Sequence, residues 1–88
     1  YYNVCMEGRQ FKAIKIGKLY VSNKGMWSFY DHEKEYNIID REYEGIIDTF
    51  IKEAKDENSL LIYRVKKQIR DKRGRILRVV EPVGIVDE

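Results

Sequence analysis

The sequence predicts an α+β fold: an antiparallel β-sheet of about five strands, made of a β-meander, one α-helix over 40–57 packed on one face, and a long C-terminal β-hairpin. Three observations carry this expectation. Short aromatic and β-branched runs between 11 and 39 are separated by turn residues. Apolar residues between 43 and 54 recur at helical spacing. Two long apolar-rich runs, 60–70 and 75–83, flank Asp71-Lys-Arg-Gly74, which has turn chemistry. The 88 residues predict a single domain, 1–88, with one modest core.

The elements follow in order. Phe11, Ala13 and Lys15 alternate with Lys12, Ile14 and Ile16, the period of a strand, and Gly17 breaks the run. Leu19-Tyr-Val-Ser22 leads into Asn23-Lys-Gly25, a turn signal, and Met26-Trp-Ser-Phe-Tyr30 returns. Asp31-His-Glu-Lys34 is a second turn before the strand Glu35-Tyr-Asn-Ile-Ile39. Asp40 suits a helix N-cap, with Glu42 and Glu44 in the first turn, where negative charge complements the helix dipole. Tyr43, Ile46, Ile47, Phe50, Ile51 and Ala54 form the apolar stripe, and Asn58 is the stop. Gly45 costs roughly 1 kcal/mol against Ala inside a helix, which suggests close packing on the sheet. In the last hairpin, pairing residues whose numbers sum to 145 matches Ile69 with Ile76, Val65 with Val80 and Arg64 with Glu81. Pro82 then belongs at an edge, because it cannot donate to a ladder.

Charge is distributed unevenly along the chain. Arg64, Lys66, Lys67, Arg70, Lys72, Arg73, Arg75 and Arg78 face only Asp71, so 64–78 carries +7 in a chain of net charge +2. The 145 register sets Arg70 opposite Arg75 and Lys67 opposite Arg78, and directly opposed like charges destabilise a ribbon unless an anion lies across them. The expectation is a protruding basic arm that engages an anionic partner, most simply nucleic acid, or else an acidic protein surface. Plain solvation is the competing explanation, since exposed Lys and Arg also deter edge pairing. Tyr20, Tyr30 and Tyr36 are candidates for exposure and for stacking on bases. Trp27 and Phe29 share a strand face and read as core.

Residues 31–57 carry −6, and their acidic groups Glu33, Glu35, Asp40, Glu42, Glu44 and Asp48 form an alternative face for a basic host protein. Glu35, Tyr36, Ile38, Glu42, Glu44, Ile46, Phe50 and Ile51 resemble the strand-into-helix segment of a family of phage-encoded anti-CRISPR inhibitors. That resemblance implies inhibition by imitating nucleic acid. It covers about a fifth of the chain, and that family has helix where this chain has its basic hairpin. Met26 to Lys55 is also similar to the three-strand-plus-helix arm-binding modules of phage integrases.

No catalytic constellation emerges. His32 is the only histidine and falls in a turn, Cys5 is the only cysteine and reads as a small buried thiol, and Ser22, Ser28, Ser59 and Thr49 lack a base at useful spacing. A Cys/His zinc site and an internal disulfide are both excluded within one chain. Asp31, Glu33 and Glu35 cluster without recognisable nuclease spacing. The expectation is a non-enzymatic protein with no cofactor and no metal. No apolar run approaches a membrane span, so no membrane partner is expected and a soluble, cytoplasmic protein is the default.

Overall fold

The structure is a computed structural model that describes residues 3–6 and 9–87, with side chains from 11 to 87. Its strands are β1 (Asn3–Met6), β2 (Arg9–Lys15), β3 (Tyr20–Val21), β4 (Trp27–Tyr30), β5 (Tyr36–Ile39), β6 (Leu60–Arg70) and β7 (Ile76–Val86), with helix α1 (Glu44–Glu53) between β5 and β6. They form one sheet in the order β1-β2-β6-β7-β5-β4-β3. Cys5 lies in β1, and its expected burial concerns a side chain outside the described part.

The meander is present: β3, β4 and β5 are successive antiparallel neighbours, with Tyr20 opposite Ser28 and Tyr30 opposite Tyr36. Its turns follow their residue types. Gly25 takes a positive φ of 79°, which glycine adopts without steric cost. The Ser22 hydroxyl accepts from the backbone N–H of Lys24 and, at the far side of the turn, of Met26.

The sheet is mixed and not antiparallel as expected, with six strands of at least four residues plus the two-residue β3. The difference comes from β5, which runs parallel to β7, pairing Tyr36 with Leu77, Asn37 with Arg78, Ile38 with Val79 and Ile39 with Val80. The chain leaves β5 through α1, descends β6 and climbs β7, which slots between β5 and β6 beneath the helix. A central position needs apolar residues on both faces, and Ile38, Ile39, Val79 and Val80 are all buried. β5 flanks β7 only as far as Val80, so Pro82 lies where β7 has a strand on one side alone.

The expected 145 register holds only at Tyr63–Pro82, Arg64–Glu81 and Val65–Val80. Bulges bound this stretch, one at Lys66 on β6 and one at Val83 on β7, and each moves the pairing by one residue. Toward the tip, Lys67 therefore faces Val79, Arg78 faces Gln68, Ile69 faces Leu77 and Arg70 faces Ile76. The two like-charge pairs expected from the sequence do not form, because a bulge lets the ribbon place a cation opposite a neutral residue at each level.

Bulges also bend and twist a ribbon. The Phe29 ring on β4 meets the Tyr63 ring on β6 edge-on, with centroids 4.9 Å apart. Three strand spacings in a flat sheet would separate them by roughly 14 Å, so the sheet curls toward the side that α1 covers. Inside the curl, Ile14, Phe29, Ile39, Ile47, Leu61, Tyr63 and Val80 form the core, with Trp27, Tyr43, Phe50 and Ile51 packed against it.

The helix is shorter than the expected 40–57. A 3₁₀ turn, Arg41–Tyr43, precedes it, and Ala54 leaves it in an extended conformation. Asp40 does cap the entry, its carboxylate accepting from the backbone N–H of Glu42. Gly45 overturns the close-packing expectation: it is exposed, and an added Cβ would meet nothing within 4 Å. Ile46, placed on the buried stripe by spacing, is also exposed.

Two substitutions test this packing by urea denaturation. Phe29→Ala is expected to cost about 3–5 kcal/mol, because it empties the centre of the curl. Gly45→Ala is expected to stabilise by about 0.5–1 kcal/mol, since the new methyl group clashes with nothing.

Candidate nucleic-acid interface

Proximity in sequence does not make the eight basic side chains of 64–78 equivalent, and the fold separates them into two groups. Arg64 pairs with Glu81 across the β6–β7 ladder, its Nε donating to Oε1 at 2.7 Å. Lys66, at the bulge, donates from Nζ to Glu42 Oε1 at 2.6 Å and lies 5.0 Å from the centre of the Tyr43 ring. Arg78 turns toward the β4–β5 turn, where it pairs with Glu35 and lies 3.7 Å from Asp31. These three cations are neutralised by their own chain and tie β6 and β7 to the acidic segment.

Arg78 enters a polar cluster at the rim of the curl. Asn37, fully buried, donates to the Glu35 carbonyl at 2.9 Å and to Asp31 Oδ2 at 3.3 Å. Asp31 Oδ1 accepts from the backbone N–H groups of Glu33 and Glu35, at 2.9 and 3.0 Å. These bonds hold a turn in which Lys34 takes a φ of 63°, a left-handed conformation unusual for a non-glycine residue. Burial raises the Tyr63 hydroxyl pKa, and the Asp31 carboxylate nearby adds to the rise.

The second group sits at the hairpin tip. Lys67, Arg70, Lys72, Arg73 and Arg75 are all exposed. Asp71 organises the turn that carries them: Oδ1 accepts from the backbone N–H of Arg73 at 2.8 Å and of Arg75 at 2.9 Å, and Oδ2 accepts from Arg75 Nε at 2.9 Å. Hydrogen bonding from the Arg75 backbone N–H, supported by its guanidinium, lowers the Asp71 pKa below the ordinary carboxylate value. Gly74 takes the positive φ the turn requires, at 81°, and its carbonyl accepts from Arg70 Nη1 at 2.9 Å. The tip is thus a braced turn with cations projecting from it. Lys72 and Arg73 make no ion pair with the described residues.

On the sheet face away from α1, strand alternation lines up aromatic and aliphatic side chains. Tyr30 faces Tyr36, Tyr36 faces Leu77 and Leu77 faces Ile69. The Tyr30 and Tyr36 rings lie 5.2 Å apart, and Tyr20 stacks on Tyr30 at 6.4 Å with planes 15° apart. The Tyr36 hydroxyl donates to Ser28 Oγ at 3.0 Å. Partial desolvation against its neighbours, with the Tyr36 and Tyr30 hydroxyls, pushes the Tyr20 pKa up to about 12. Tyr20 and Tyr30 are exposed, as the sequence suggested, whereas Tyr36 is half-buried.

The acidic candidates mostly engage their own chain. Glu35 pairs with Arg78, Asp40 caps the 3₁₀ turn, Glu42 pairs with Lys66, and Asp48 accepts from Trp27 Nε1 at 3.1 Å. Glu33 and Glu44 are exposed. Among the described residues, no three His, Cys, Asp or Glu side chains are grouped to hold a metal ion. Among the same residues, no helix is long and apolar enough to cross a membrane. No family model, curated protein or solved structure matches the chain.

The division of charges has measurable consequences for folding. Arg78→Ala removes the cation that Asp31 and Glu35 share and is expected to cost about 3 kcal/mol in urea denaturation. The Arg64 hydrogen bond lowers the Glu81 pKa from its ordinary 4.5. A carboxylate with a lowered folded pKa holds fewer protons folded than unfolded, so its contribution is complete above the unfolded value and is lost as pH falls through the folded one. Stability is therefore expected to fall as pH drops below about 4.5 and on through the lowered folded value, and Glu81→Gln should flatten that fall in urea midpoints measured across the acid range.

Proposed function

We propose that this chain is a non-catalytic nucleic-acid-binding module that holds a phosphate backbone with its hairpin tip. The observation that carries this reading is the braced turn, which presents Lys67, Arg70, Lys72, Arg73 and Arg75 with Asp71 as its only carboxylate. Cations needed only for solubility have no use for a turn that orders them, whereas ordering reduces the entropy lost when phosphates bind. A positive ribbon tip also suits the spaced charges of a nucleic-acid strand. The anionic partner here is bound by five exposed cations, and Arg64, Lys66 and Arg78 serve the fold instead.

A docking face for a basic host protein over 31–57 has less support. Four of its six candidate carboxylates are already engaged within the chain, which leaves Glu33, 4.0 Å from His32 Nε2, and Glu44.

Fluorescence anisotropy with labelled oligonucleotides across a salt series tests the proposal. Five phosphate contacts give a log–log salt slope of roughly −4.5 on duplex DNA or −3.5 on a single strand. Replacing Lys72 and Arg73 with alanine is expected to weaken binding of every sequence and to reduce the slope by about 1.5–2. Absence of binding below ~10 μM at low salt would sink the proposal, because non-specific nucleic-acid binders reach that range even at physiological salt.

A further inference from the structure

The helix side of the sheet is filled by the core, and the opposite face carries a row of side chains of which three are exposed. Tyr30 is 54% exposed, Ile69 42% and Tyr20 39%. A two-layer α+β domain ordinarily turns polar residues to water on an uncovered face. Here the row crosses five adjacent strands, from Tyr20 on β3 through Tyr30, Tyr36 and Leu77 to Ile69 on β6. At about 4.8 Å between strands, its length is roughly 19 Å.

Charge and position single out one occupant. The row ends one residue short of the hairpin tip, since Ile69 precedes Arg70 and Leu77 follows Ile76. Lys67 lies opposite Val79, and alternation puts it on the same face as Ile69 and Leu77. The row, aromatic on β3 to β5 and aliphatic at Leu77 and Ile69, thus runs up to a group of exposed cations. We propose, building on the nucleic-acid reading above, that this face binds single-stranded nucleic acid, with bases stacked on Tyr30 and Tyr20 and the backbone led to the cations of the tip.

Stacking requires the flat face of a base, which a duplex keeps against its neighbours and a single strand exposes. Tyrosine suits this use because it offers a broad aromatic face with few rotatable bonds. The Tyr20–Tyr30–Tyr36 contacts hold the three rings in place before any ligand arrives. A row of roughly 19 Å accommodates several nucleotides, in keeping with the four or more that single-strand-binding β-folds cover. The hydroxyls beside the row are used within the fold: Tyr36 donates to Ser28 Oγ, and the buried Ser28 donates to the Met26 carbonyl. Recognition by stacking and charge therefore predicts tolerance of sequence.

The test uses the full chain, a short labelled oligodeoxythymidine strand, and the same strand annealed to its complement. The unmodified chain is expected to prefer the single strand. Tyr30→Ala is expected to weaken single-strand binding by roughly 5- to 100-fold, with Tyr30→Phe close to the unmodified chain, because stacking needs the ring and not the hydroxyl. Thermal unfolding of both variants checks that the exposed position leaves the fold intact. Equal binding of strand and duplex, with Tyr30→Ala unchanged but the Lys72 and Arg73 double substitution weakened, would overturn the stacking proposal and leave the phosphate-binding reading standing. Binding of neither probe would remove both. Sedimentation showing a dimer that Tyr30→Ala dissociates would also overturn it, by assigning the row to a second copy of this chain.

Discussion

Because β7 lies between β5 and β6, the stretch Leu77–Val80 must meet partners on both edges and on both faces. It runs parallel to β5 on one side and antiparallel to β6 on the other. Its side chains alternate between the core under α1 and the opposite face, so a run that looks like half of a solvent-exposed hairpin is the middle of the sheet. The rest of the architecture follows from that insertion. The helix has to bridge β5 to β6 across the strand between them. The hairpin has to bulge at Lys66 and Val83 to keep its apolar residues in register while the sheet curls. The curl then brings Phe29 and Tyr63 together and closes the core of a domain with one ten-residue helix.

The same insertion sorts the charges. Arg78 sits beside Asn37 because β5 and β7 are parallel, and this places its guanidinium among the carboxylates of the β4–β5 turn. Removing charges from water is costly unless they are paired and hydrogen-bonded. The cluster pairs Arg78 with Glu35 and Asp31, and Asp31 also accepts from Asn37 and from two backbone N–H groups. Lys66 and Arg64 are likewise matched to Glu42 and Glu81. Part of the −6 on residues 31–57 thus neutralises part of the +7 on residues 64–78 within the molecule. What remains outside is a smaller charge concentrated on the tip, where Asp71 gives one carboxylate oxygen to two backbone N–H groups and the other to the Arg75 guanidinium. A cationic turn braced by its own carboxylate differs from a flexible basic tail, because less order has to be imposed when an anion binds.

Much of this was legible in the residues. Alternation and turn chemistry located the meander, Asp40 marked the entry to the helix, and Asp71-Lys-Arg-Gly74 marked the hairpin turn. Trp27 and Phe29 were identifiable as core, and Tyr20 and Tyr30 as exposed, from the period of their strand. Other expectations failed for identifiable physical reasons. The mixed sheet was hidden because a parallel pairing between β5 and β7 leaves no local signal, and both strands read equally well as antiparallel neighbours. The uniform hairpin register was wrong because pairing rules assume an unbroken ladder, and neither bulge is announced by a glycine at the bulged position. Gly45 was misread because its spacing could not reveal that its face of α1 points to water.

Sequence alone therefore determined the α+β class, the turns of the meander and of the last hairpin, and the accumulation of cations in one hairpin, since these depend on nearest neighbours and short periodicities. Tertiary structure decided which of those cations remain available. Whether Arg64, Lys66 or Arg78 meets a carboxylate or water depends on segments distant in the chain, and the parallel pairing of β5 with β7 put Arg78 beside Asn37, while Lys67, Arg70, Lys72, Arg73 and Arg75 face out.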